Sequence, residues 1–122
     1  MKTPPVGAVG WVDLTVEDAP ALRDFYAKVV GWSASPHSMG DYSDYVMQAP
    51  GGEGVAGVCH TRGTNAQQPS GWVVYFVVAD MAQSVAELRE RGGEVVSERK
   101  EFTVARDPQG HLFALYQHQG EE

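Results

Sequence analysis

An α+β fold built from two tandem βαβββ modules is predicted by three features of this 122-residue sequence. The chain repeats itself at an offset of 62 positions, Trp11-Val-Asp-Leu-Thr-Val-Glu-Asp18 lying over Val73-Val-Tyr-Phe-Val-Val-Ala-Asp80. Each copy runs from a strand-like stretch into an amphipathic helical one that stops at glycine, Gly31 or Gly93. The length suits one compact domain and leaves no room for two of ordinary size, so the modules must share a core. The expected organisation is a single domain with modules at about 8–60 and 72–117, joined by a linker at 61–71.

The first strand is read from the alternation over Val9 to Val16, which sets Val12, Leu14 and Val16 on one face and Trp11, Asp13 and Thr15 on the other. Asp18 suits an N-cap, and Pro20 is tolerated in the first turn because its missing N–H would find no intrahelical acceptor there. Leu22, Phe25, Tyr26, Val29 and Val30 then recur at helical spacing up to Gly31, a natural residue just past a helix end. Trp32 to Ser35 and Tyr42 to Gln48 read as strands around a turn at Pro36 to Asp41. The glycines of Gly51-Gly-Glu-Gly54 precede a strand from Val55 to about His60.

The linker is polar and aperiodic, with Gly63 and Pro69. The second module repeats the plan. A Val, Tyr and Phe-rich strand spans Trp72 to Ala79, Asp80 caps a helix with Gln83 in the capping-box position, and Met81, Val85 and Leu88 form its inner stripe. Gly92-Gly93 ends that helix. Strands follow at Glu94 to Ser97, Phe102 to Ala105 and His111 to Gln117, the last two separated by the turn Asp107-Pro-Gln-Gly110. Eight strands and two helices are expected.

Composition narrows the function. Hydrophobic residues at 43% and charged residues at 20% are ordinary for a soluble globular chain, and no apolar run reaches the roughly 18 residues of a membrane span. No apolar stretch near the N-terminus resembles a secretory segment, so a cytoplasmic location without membrane contact is expected. A net charge of −7, with nine scattered Lys and Arg, repels phosphate backbones and argues against a nucleic-acid partner. Cys59 is the only cysteine, which excludes an internal disulfide and a CxxC site.

Several motifs arrive in a familiar order: Asp24-Phe25-Tyr26 running on to Gly31-Trp32, and the closing Asp107-Pro-Gln-Gly-His-Leu-Phe-Ala-Leu-Tyr116. Over about residues 8–117 the chain resembles the glyoxalase, bleomycin-resistance and extradiol-dioxygenase superfamily, the vicinal oxygen chelate proteins. The resemblance implies two βαβββ modules whose eight strands form an open, barrel-like cavity, and often a homodimer. Metal-using members hold a divalent ion there for a substrate with two neighbouring oxygens.

The resemblance puts the usual ligands seven residues before each helix-capping Asp, at Trp11 and Val73, and four residues after Gly110, at Ala114. Indole, isopropyl and methyl groups offer a cation no lone pair, so neither a metal nor another cofactor is predicted. Strand alternation instead gives a cavity lined by Trp11, Asp13, Thr15, Val73, Tyr75, Ala114 and Tyr116, with Val77 and Leu112 on the same faces. That set suits a small organic molecule held by stacking and one or two hydrogen bonds. Asp13 is the candidate catalytic residue, because a carboxylate on an apolar face can act as a base or bind a polar group. It can equally pair with a neighbour or meet solvent at the mouth.

Tyr75 and Tyr116 are read either as donors to a ligand carbonyl or as packing, and Trp11 as a stacking platform or a space-filler. His37, His60, His111 and His118 form no HxH or HxxxH pair and read as surface residues. Cys59 reads as buried and inert. Gly52-Glu-Gly-Val-Ala-Gly57 matches G-x-G-x-x-G in letters but precedes a strand, so it cannot cradle a phosphate at a helix N-terminus. Two functions follow. One is a binding protein with a metal-free aromatic cavity; the other is a lyase, isomerase or dioxygenase of the superfamily, metal-independent with Asp13 as base or using relocated ligands.

Overall fold

The computed structural model describes residues 4–99 and 101–118. The order of elements is β1 (Val9–Val16), α1 (Ala19–Val30), β2 (Ser33–Ser38), β3 (Ser43–Gln48), β4 (Gly54–His60), β5 (Gly71–Val78), α2 (Met81–Glu90), β6 (Glu94–Glu98), β7 (Thr103–Arg106) and β8 (Leu112–Gln117). A single 3-10 turn at Gly63–Asn65 interrupts the linker. This is the expected α+β sequence of βαβββ followed by βαβββ.

Two compact units result, one of Val12–Trp72 and one of the described residues within 1–11 and 73–122, so the boundary falls inside β1. The leading residues join the second half through a ladder in which Gly7 N donates to the Val77 carbonyl at 2.8 Å and Val77 N donates to the Ala8 carbonyl at 3.0 Å.

In the unit Val12–Trp72 the strands lie in the order β2, β3, β4, β1, antiparallel except for β4 with β1. Asp18 caps α1 by accepting from Ala21 N at 3.1 Å, and Gly31 ends it in the left-handed conformation, φ 91°. The core is Ala19, Met47, Ala56 and Val58, against which Val12, Val16, Leu22 and Trp32 pack. Strand alternation thus placed Val12 and Val16 on the correct face. Helical spacing overcounts the buried stripe of α1, because Phe25, Val29 and Val30 are at least half exposed. Leu22 and Tyr26 point inward, Tyr26 meeting Trp72 edge-to-face at 5.5 Å.

Sequence reasoning ended β2 at Ser35 and put His37 in a turn; the strand instead runs through Pro36, opposite Tyr45, to Ser38. Proline cannot donate to a ladder, but an outermost strand has one side without a partner and tolerates that loss.

In the other unit the order is β5, β8, β7, β6, with β5 and β8 parallel. Asp80 caps α2 by accepting from Gln83 N at 3.2 Å, and the Gln117 side chain accepts from Met81 N at 2.7 Å. Val73, Val104 and Ala114 form a buried cluster beneath Tyr75, Phe102 and Leu112. The β7–β8 turn is fastened by Asp107, whose Oδ1 accepts from the backbone N–H groups of His111 and Gln109. The His111 N–H above all, and that of Gln109, hold this carboxyl below the usual carboxylate range.

Candidate functional site

A cavity of about 700 Å³ in the second unit is lined by Trp11, Tyr75, Phe102 and Tyr116, with Met81 and Thr103 beside them and Arg99, Glu101 and Gln117 supplying polar groups. Its volume lies within the range of small-molecule sites. Three residues expected from alternation, Trp11, Tyr75 and Tyr116, therefore meet in one place. Alternation along each strand sets the face on which the ring lies.

Tyr75 and Phe102 stand edge-to-face with centroids 5.3 Å apart, a preferred arrangement of ring quadrupoles. Both rest on the carbon floor of Val73, Val104 and Ala114. Tyr116 owes its place to a missing side chain: a Cβ on Gly10 would lie 2.5 Å from the Tyr116 hydroxyl and 3.0 Å from Val77 Cγ2.

The remaining expected residues are placed differently. Val73 and Ala114 are fully buried under the rings, so they shape the cavity floor without meeting solvent. Thr15, also buried, accepts a hydrogen bond from Gln68 Nε2 at 3.2 Å in the first unit. Asp13 pairs with Gly57 in the β1–β4 ladder and is not among the residues lining the aromatic cavity.

The metal positions can be tested by donor chemistry. Trp11, Val73 and Ala114 carry no group able to coordinate a cation, and two of them are sealed among carbon atoms. The residues present do not fit a metal there. Among the described residues, no group of three or more His, Cys, Asp or Glu is arranged to hold an ion elsewhere.

Sequence reasoning missed Phe102 and Arg99 as cavity residues, and it missed a buried polar pair. Asp44, 6% exposed, accepts from His60 N at 2.9 Å, and its Oδ1 lies 3.2 Å from His60 Nδ1. Tyr42 stands edge-on to the imidazole at 5.3 Å. His60 is therefore no surface residue, since the β3–β4 pairing brings it to a carboxylate 16 positions away. Only the strand pairing signals that contact.

Cys59 lies in the same unit. Burial pushes its thiol well above the ordinary range, and the negative charges of Asp13 and Asp44 push it further. The thiolate is the reactive form, so native protein at pH 8 should react with Ellman's reagent at least about tenfold more slowly than protein unfolded in guanidinium. Equal rates would show an accessible, unperturbed thiol.

A family model described as a glyoxalase-like domain matches residues 11–116. An anthracycline biosynthesis protein of Streptomyces peucetius, DnrV, is 32% identical over 114 residues, covering 89% of this chain and 41% of that protein. DauV of Streptomyces sp. (strain C5), also named an anthracycline biosynthesis protein, is 29% identical over 128 residues, covering 90% of this chain and 46% of its own. The chain spans less than half the length of these curated relatives. Among solved structures, methylmalonyl-CoA epimerase from Mycobacterium tuberculosis superposes with a TM-score of 0.57 at 17% identity, covering 90% of this chain and 87% of that one. At this identity the likeness concerns the fold alone. No helix among the described residues is long and apolar enough to cross a membrane.

Proposed function

Because the chain belongs to the glyoxalase-like domain family, we propose that it uses this scaffold to hold a small, flat organic molecule against Trp11, Tyr75, Phe102 and Tyr116 without a bound metal ion. The observation that carries this reading is the convergence of four aromatic side chains on one cavity of about 700 Å³. Rings fixed by strands offer large contact area at little cost in side-chain entropy, since each has only two torsions to lose. Ligand binding here needs no coordinating group, which agrees with indole, isopropyl and methyl groups at the metal positions.

The names of DnrV and DauV add a chemical hint. Anthracyclines are built on fused aromatic rings, and a planar fused-ring molecule is the class that such walls accept. Asp13 belongs to the unit Val12–Trp72, and holding a ligand against these rings does not call on its carboxylate.

The test uses alizarin, a dihydroxyanthraquinone, titrated into protein dialysed against EDTA. Saturable binding is expected, and Trp11→Ala and Tyr116→Ala should each weaken it by about tenfold or more, the usual effect of removing a central aromatic contact. Binding that returned only with an added divalent ion would overturn the metal-free reading. Alizarin binding untouched by both substitutions would place the site elsewhere.

A further inference from the structure

We propose that Thr103 makes this cavity selective for flat aromatic molecules bearing a carbonyl on the ring, its hydroxyl donating to that oxygen; the proposal rests on the aromatic-cavity reading above. Thr103 lines the cavity next to Phe102 and is only 4% exposed. Its hydroxyl makes no hydrogen bond to any described residue. Yet among the described residues no side-chain nitrogen or oxygen is both sealed from solvent and without a partner. The small exposed part of Thr103 therefore includes Oγ1. The spaces it borders are the aromatic cavity and a second cavity, of about 600 Å³, along α2.

The direction of this hydroxyl is set by the sheet. Thr103 opens β7, where it pairs with Glu98 of β6 on one side and Leu115 of β8 on the other. A β-branched side chain on a strand held from both sides has few rotamers left, so the hydroxyl keeps its place without help from a neighbour. Enclosed as it is, with nothing in the fold to receive its proton, it gains more from a ligand's acceptor than a fully solvated hydroxyl would. A carbonyl conjugated with a ring is the matching acceptor. It lies in the ring plane, so it can enter a space walled for stacking, and it brings no charge that must be desolvated.

The other polar groups of the cavity are placed less favourably. Gln117 Oε1 already accepts from Met81 N at 2.7 Å, and Arg99 Nε donates to Ser97 Oγ at 2.8 Å. Glu101 and Gln117 are exposed, where water competes for every hydrogen bond. The hydroxyls of Tyr75 and Tyr116 are donors too, but both residues are only half-buried, and substitution separates them from Thr103.

The experiment compares 2-acetylnaphthalene with 2-isopropenylnaphthalene, in which a methylene group replaces the carbonyl oxygen, by equilibrium dialysis against the parent protein, Thr103→Val and Thr103→Ser. Thr103→Val should weaken the ketone by about tenfold and leave the alkene within about twofold. Thr103→Ser, which keeps the hydroxyl, should retain most of the affinity for the ketone. Valine should also leave Tm unchanged or raise it, since a methyl group then replaces a hydroxyl that has no partner in the fold. A clear fall in Tm for Thr103→Val would show that the hydroxyl is bonded within the protein, and an unchanged ketone-to-alkene ratio would show that the carbonyl meets another donor. Either result would overturn the selectivity while leaving the aromatic cavity standing. Failure of both naphthalenes to bind the parent protein would overturn the cavity reading, and this proposal with it.

Discussion

Truncating Met47 to alanine should lower stability by about 2–5 kcal/mol, the range for removing a large buried side chain and leaving a void. Met47 is fully buried at the centre of the cluster formed with Ala19, Ala56 and Val58. The upper half of that range is expected, because Ala34 and Ala56 flank it in the sheet and a methyl group cannot extend into the space left behind. For a chain of this length the loss corresponds to a fall in Tm on the order of 10–20 °C. Met47 belongs to the unit without the aromatic cavity, so alizarin affinity measured well below the transition should change by less than about twofold. A loss of binding as large as that of Trp11→Ala would mean that the site depends on the first unit's core.

The second large effect is expected at Gly10, where stability and the site are disturbed together. A valine there must displace either the Tyr116 ring or Val77, and Val77 is itself 1% exposed and held in a ladder by its backbone. Tyrosine is the more mobile of the two, so the ring should swing out of the cavity wall. Overpacking of this kind costs about 1–3 kcal/mol. The expected signature is a moderate fall in Tm with a loss of alizarin affinity comparable to that of Tyr116→Ala. Pairing Gly10→Val with Tyr116→Ala should recover part of the stability, because the smaller residue vacates the contested space; a fully additive double variant would argue against the contact.

Much of the fold could be read because it rests on local periodicity. Alternation in β1 is a property of eight consecutive residues, and it correctly separated Val12 and Val16 from Trp11. Asp18, Gly31 and Asp80 mark helix ends through chemistry that acts within three or four positions. The walls of the aromatic cavity were legible to the same depth: that Trp11, Tyr75 and Tyr116 line it follows from strand parity. Parity says which way a side chain points but not what lies above it, so Val73 and Ala114 read as cavity residues although Tyr75 and Phe102 cover them. Phe102 and Arg99 escaped because they flank an aperiodic turn, where no repeat indicates direction. The pairing of Asp44 with His60 depends on strand register, which no short window of sequence contains.

Pro36 has a consequence for the protein in a crowded solution. An outer strand presents unpaired backbone groups to every other chain it meets, and such a row is a template for chain-to-chain pairing and fibril growth. β2 meets that hazard with a residue that cannot donate, set among Ser33, Ser35, His37 and Ser38, which offer little apolar surface to a stacking neighbour. The strand that interrupts the expected turn thereby offers another copy a poorer template than an unbroken apolar edge would.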